Sequence, residues 1–117
     1  ISTQKKLCLF ATAAIASETS GASAKSTDAY RVYEHLTDLV DADQHYQETY
    51  VNKMKELTTY SLVEAGRKSQ GPHSGSYLEF TFEENPETII QTLREDHQLQ
   101  EIDEATYRPV VRRQLSR

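Results

Sequence analysis

The stretch "YVNKMKELTTYSLVEAGRKSQGPHSGSYLEFTF", residues 50–82, decides the fold, because within it the spacing of apolar residues changes from helical to alternating. Tyr46, Tyr50, Met54 and Leu57 fall within a narrow arc of a helical wheel, which predicts a helix over about 44–59. Its opposite arc presents His45, Glu48, Asn52 and Lys55, with Thr49 beside them. Leu62 and Val63 then begin a short strand, and "YLEFTFE" alternates Leu78, Phe80 and Phe82 with Tyr77, Glu79 and Thr81. Two such strands joined across a tip containing Gly71, Pro72 and Gly75 predict a hairpin. Arg67 and Lys68 stand at the mouth of that tip. Either the tip is only solvated, or it touches something negatively charged.

Upstream, Leu7, Phe10, Ala11, Ala14 and Ile15 recur at helical spacing in an Ala-rich run, which predicts a first helix. "SGASAKS", residues 20–26, interrupts it, and Ser26 is the expected cap of a second helix over about 27–40 with Ala29, Val32, Tyr33, Leu36 and Val40 on one stripe. "DADQ", from Asp41, is expected to supply an Asp cap to the third helix. Downstream, Asn85 and Pro86 mark the start of a fourth helix over about 86–97, carrying Ile89, Ile90 and Leu93. Residues 100–117 show weak periodicity and are expected to be a tail, disordered or packed back on the domain, with Arg108, Arg112, Arg113 and Arg117 solvated.

At 117 residues the chain suits one compact domain. Its 13 Lys and Arg against 18 Asp and Glu give a net charge of −5, but the charge is uneven. Residues 44–77 hold Lys53, Lys55, Arg67 and Lys68 against Glu48, Glu56 and Glu64, whereas residues 78–107 hold nine acids and only Arg94. The acidity lies behind the tip. Cys8 is a lone cysteine, which fits a reducing compartment and a buried small residue rather than a reactive thiol. No apolar run reaches the ~18 residues of a membrane span, and no signal peptide is visible, so a cytoplasmic protein without a membrane partner is expected. The chain begins with Ile1 rather than Met, as expected of a piece of a longer protein.

Several motifs imitate chemistry. "TSGASAKST" resembles a phosphate-binding loop at Lys25, Ser26 and Thr27, but Thr19 and Ala24 occupy its required glycine positions, and a helix rather than a strand is expected before it. Asp41, Asp43 and His45 suggest a calcium loop, yet Tyr46 and Asn52 replace its obligatory Gly and Glu. The histidines His35, His45, His73 and His97 share no helical face, and no Ser, His and acid grouping stands out. No catalytic residue, metal ligand or cofactor site is expected here. Tyr30, Tyr33, Tyr46, Tyr50 and Tyr60 are expected to pack in or near the core rather than to stack nucleobases.

The order helix, helix, helix, strand, tip, strand, helix predicts a winged helix-turn-helix, mainly α with a small hairpin, over residues 1–99. In that arrangement a third helix with one polar arc suits the major groove, and a cationic wing suits the neighbouring backbone or minor groove. The expected contacts are His45, Thr49, Asn52 and Lys55 from the helix and Arg67, Lys68, Ser69, Gln70, His73 and Ser74 from the wing.

The segments "QKKLCLFA", "YRVYE", "YVNKMKELTTYSLV", "YLEFTF" and "NPETIIQTLRED", spread over about residues 4–99, resemble the C-terminal winged-helix domain of archaeal initiators. These are homologues of eukaryotic origin-recognition subunit 1 and cell division control protein 6, and the haloarchaeal branch is the most similar. The resemblance implies binding of double-stranded DNA at replication origins. It further implies a nucleoid-associated protein whose partners include other initiator subunits or the replicative helicase. An upstream ATPase module of the AAA+ type, binding ATP and magnesium, is also implied. The tip departs from the family's more arginine- and glycine-rich wing at Gln70, Pro72 and His73. The alternatives are a winged helix used for protein contacts and a small transcription regulator.

Overall fold

A computed structural model describes residues 1–69 and 75–117. The elements run α1 (Thr3–Ser17), β1 (Ser23–Lys25), α2 (Ser26–Leu39), α3 (Gln47–Leu57), β2 (Val63–Ser69), β3 (Ser76–Phe82), α4 (Pro86–Leu93) and α5 (Glu104–Leu115), with single 3-10 turns at Thr58–Tyr60 and His97–Leu99. Among the described residues this is an α+β winged helix: five helices and a three-stranded antiparallel sheet in the order β1-β3-β2.

Helix α1 is the axis of the core. Every residue from Leu7 to Ala16 is buried, because α2, α3, α4, α5 and the sheet all pack on it. A helix enclosed on all sides needs no polar face, and its alanines let neighbouring backbones come close. Ser2 caps it by accepting from the Lys5 amide at 3.2 Å. Thr12 shows how the polar atoms inside are satisfied: its hydroxyl donates to the Cys8 carbonyl at 2.8 Å and meets the Tyr50 hydroxyl of α3 at 2.6 Å. Burial pushes the Cys8 thiol up to about 12, consistent with an inert core residue.

The sheet lies against this core by alternate residues. Leu78, Phe80 and Phe82 are buried, and of β2 only Val63 is. The register places Arg67 opposite Leu78, Lys68 opposite Tyr77 and Ser69 opposite Ser76. On the other edge, Lys25 lies opposite Glu79 and Ala24 opposite Phe80. Gly75 adopts φ 71°, a left-handed conformation that glycine enters without a Cβ penalty.

Several expectations need correction. The run at 20–26 contains strand β1, a third partner for the sheet. Ser26 does not cap α2: it is the first helical residue, Lys25 holds the cap position, and no side chain bonds the first-turn amides there. No Asp caps α3 either, since that helix begins at Gln47 with Tyr46 at the cap position, while Asp41 turns the chain at φ 54°. Tyr46 and Tyr60 are 86% and 59% exposed, so only Tyr30, Tyr33 and Tyr50 of the five named tyrosines are core residues. Helix α4 stops at Leu93, and its cap is as expected, with the Asn85 side chain accepting from the Glu87 amide at 2.9 Å.

Residues 104–115 form α5, packed mainly on α2. Asp103 caps it by accepting from the Thr106 amide at 2.9 Å, and Tyr107 and Val111, one turn apart, are buried. Arg108 is not solvated. Its guanidinium donates to both carboxylate oxygens of Glu87 at 2.6 and 2.8 Å and to the Ser17 hydroxyl at 3.0 Å. It therefore ties α5 to the end of α1 and the start of α4.

Candidate nucleic-acid interface

The connection from α2 to α3 is fixed by tyrosines of α2. The Tyr33 hydroxyl donates to Gln4 Oε1 at 2.7 Å and accepts from the His45 amide at 2.9 Å, while the Tyr30 hydroxyl donates to the His45 carbonyl at 2.7 Å. Gln4 also donates to the Asp43 carbonyl at 2.6 Å. Burial raises the pKa of both tyrosines, so they stay neutral donors. His45 is thus a residue of the turn, not of the helix, and its Nδ1 is buried with no partner among the described residues. Its expected place on the outward arc of α3 is overturned, because α3 starts two residues later.

From that fixed turn, α3 buries Tyr50, Met54 and Leu57. Glu48, Asn52 and Lys55 then share the exposed face at spacings of one and two turns, with Thr49 half-buried beside Tyr46. Lys55 forms no ion pair among the described residues, whereas Glu56 is taken by Lys5 at 2.6 Å. That hydrogen bond holds the Glu56 carboxyl below its usual range.

The wing meets this helix across an open groove. Arg67 of β2 and Ser76, Tyr77 and Leu78 of β3 form one wall; Gln47 and Val51 of α3 and Lys25, Ser26 and Thr27 at the β1–α2 junction form the rest. Sequence reasoning brings Arg67 and α3 to one surface, and they do line one groove. Lys68 and Ser69 are exposed beyond it on the same strand. Gln70, His73 and Ser74 lie outside the described residues. Neither Arg67 nor Lys68 forms an ion pair among the described residues, and the Lys25 ammonium sits 4.5 Å from the centre of the Tyr77 ring rather than on a carboxylate.

Lys25, Thr27, Gln47 and Tyr77 were not among the expected contacts. Their convergence depends on β1 pairing with β3, a contact across more than fifty residues of sequence that no local pattern announces. The one signal was "AKST", set aside for the missing glycines at Thr19 and Ala24 and for the helix before the motif; α1 is that helix, and β1 lies inside the motif at Ser23–Lys25.

What this surface offers is a row of unneutralised cations, amide and hydroxyl donors and a groove, the chemistry of contact with a polyanion. Among the described residues, no three His, Cys, Asp or Glu side chains come together as a metal site, and no helix is long and apolar enough to cross a membrane.

Comparison with known proteins bears on the same residues. The family model described as "CDC6, C terminal winged helix domain" matches residues 1–92. The chain is 42% identical over 104 residues to "ORC1-type DNA replication protein 5" of Halobacterium salinarum, covering 87% of this chain and 24% of the relative. It is 37% identical over 106 residues to "ORC1-type DNA replication protein 14" of Haloarcula marismortui, covering 87% of this chain and 25% of the relative. The chain therefore spans about a quarter of the length of these curated relatives. No solved structure matches it.

Proposed function

The chain belongs to the family of CDC6 C-terminal winged-helix domains, and on that premise we propose that it binds duplex DNA at replication origins through the face shared by α3 and the wing. The observation that carries this reading is the groove between α3 and β2–β3, lined by Lys25 and Arg67, with Lys68 next along the same strand and Lys55 on the exposed face of α3, none of the four with a carboxylate partner among the described residues. Asn52 and Lys55 face the base edges of the major groove, with Thr49 at their flank. Arg67, Lys68 and Ser69, with Gln70, His73 and Ser74 beyond them, meet phosphates or the minor groove. Glu48 on the same helix face opposes the phosphates, so the isolated domain binds modestly, and full affinity needs a second contact from an upstream ATPase module that holds ATP and magnesium. On this reading the protein works in the cytoplasm at the nucleoid, with initiator subunits or the replicative helicase as further partners.

The test is a salt titration of duplex binding by the parent chain and by the Arg67→Gln/Lys68→Gln double variant. The parent is expected to lose affinity steeply as salt rises. The double variant is expected to bind about 10- to 100-fold more weakly to every sequence, with a salt slope flatter by about 2. Unchanged binding by the double variant removes the wing from the interface. A chain that ignores duplex DNA but associates with initiator or helicase protein independently of salt is a protein-contact module instead.

A further inference from the structure

We propose that the β1–α2 junction is a seat for one phosphodiester group of the bound duplex, made by the Lys25 ammonium, the Ser26 hydroxyl and the first-turn amide of Thr27, and closed from the wing by Arg67. The inference rests on the duplex-binding reading of the same face and adds to it a contact from a third element.

Four observations converge on this junction. First, α2 is a 14-residue helix whose cap residue makes no side-chain bond to the amides behind it. Those amides carry the positive end of the helix dipole and lack the usual oxygen acceptor. Second, Ser26 is only 6% exposed, yet its hydroxyl has no hydrogen-bond partner among the described residues, and Ser26 lines the groove. Ser26 Oγ is not among the buried atoms left without a partner, so it opens on the groove, where a ligand or water completes its bonding. Third, the Lys25 ammonium is not neutralised. Glu79 lies opposite it in the sheet register, but no ion pair joins them, and the ammonium rests over the Tyr77 ring at 4.5 Å, itself a wall of the groove. Fourth, Arg67 comes from the opposite wall of the same groove.

The one acid in the first turn, Asp28, is engaged elsewhere: Gln114 of α5 donates to its Oδ1 at 3.0 Å. It lies outside the groove lining.

The seat fits one phosphate and not a nucleotide triphosphate. A triphosphate cradle needs a run of free loop amides wrapped around several phosphates. Here the residues before the helix, Ser23 to Lys25, are paired with Thr81, Phe80 and Glu79 of β3, so only the helix start faces the ligand. A duplex backbone presents single diester charges at regular spacing, and the seat lies between the wing and α3, where a strand crossing from one to the other must pass.

The experiment uses the 117-residue chain and its Lys25→Gln and Ser26→Ala variants, titrated by fluorescence anisotropy with duplexes of unrelated sequence across a range of salt. Lys25→Gln is expected to weaken all duplexes about fivefold to tenfold and to flatten the salt slope by about 0.9, the value of one phosphate contact. Ser26→Ala is expected to weaken them about threefold with the slope and the melting temperature unchanged, since a neutral donor is lost. In amide spectra, duplex DNA is expected to shift Thr27 more than ATP or inorganic phosphate does at equal phosphate concentration. If both variants keep the parent's affinity and slope while Arg67→Gln/Lys68→Gln weakens binding, the seat is wrong and the wing reading stands. If ATP shifts the Thr27 amide more than duplex does, the backbone phosphate is not the ligand. If the parent binds no duplex, seat and reading fall together.

Discussion

Two regions of this molecule spend their cations differently. Where α1, α4 and α5 meet, Lys6 pairs with Asp96, Arg108 with Glu87, Glu18 and Glu104, and Arg112 with Glu18. Around the groove between α3 and the wing, Lys25, Lys55, Arg67 and Lys68 meet no carboxylate within ion-pair distance among the described residues. The same residue types hold helices together in the first region and are left to solvent in the second. A cation taken into a fold must be paired or it destabilises it, whereas one left in water costs the fold almost nothing and remains available to a polyanion. The comparison therefore teaches that stability and binding are separable here, and each side can be attacked alone.

The sharpest break comes at the residue that underlies both regions. Phe80 is fully buried, pairs with Ala24 on one side and Ala65 on the other, and meets the Tyr50 ring edge-on at 6.2 Å. Phe80→Ala is expected to cost about 3–5 kcal/mol in denaturant unfolding and to weaken duplex binding as well, because both walls of the groove are hung on that strand. A large stability loss with binding intact would mean that the groove does not depend on the sheet.

Arg108→Ala is the next largest and should sharpen the contrast. The Arg108 side chain is 13% exposed; burial works against its charge, but the hydrogen bond to Glu87 and the surrounding acids raise its pKa overall. Removing it should cost about 2 kcal/mol, the figure for a partly buried pair whose acids still reach water, or about 8 °C in melting temperature. Duplex affinity should not change. Any loss of affinity beyond the unfolded fraction would join the two regions that the ion pairs separate.

The smallest effect is the response to acid. The hydrogen bond from Lys6 holds the Asp96 carboxyl below its usual range, and the Thr106 hydroxyl and amide do the same for Asp103. A depressed folded pKa contributes stability above the unfolded value, and that contribution is lost as pH falls through the folded one. Stability should therefore decline as pH drops below about 4, the ordinary carboxylate value. Asp96→Asn should decline less steeply there while starting slightly lower at neutral pH, a difference read by urea unfolding at a series of pH values.

How far the sequence could be read depended on how local each signal was. The Asn85–Pro86 helix start and the alternation of Leu78, Phe80 and Phe82 are written in neighbouring residues, and both stand as expected. Strand β1 is three residues of a small polar run, with only Ala24 buried, and it exists because β3 offers it an edge. Missing it hid Lys25 and made Ser26 look like a cap. In α5, Pro109 and the flanking arginines diluted the apolar pattern, although Asp103 three residues before Thr106 was a legible start. His45 and Tyr46 fell on the wrong side of a helix boundary, which is where local periodicity is weakest, and tertiary bonds from Tyr30 and Tyr33 set that boundary.

The central claim is that one face, built from the β1–α2 junction, α3 and the wing, receives the duplex. Hydrogen–deuterium exchange of the chain with and without duplex DNA tests it most directly. Slower exchange is expected in peptides spanning residues 25–28, 47–55, 63–69 and 75–78, and no change across 95–115. Protection confined to α4 and α5, with the groove peptides unaffected, would contradict it.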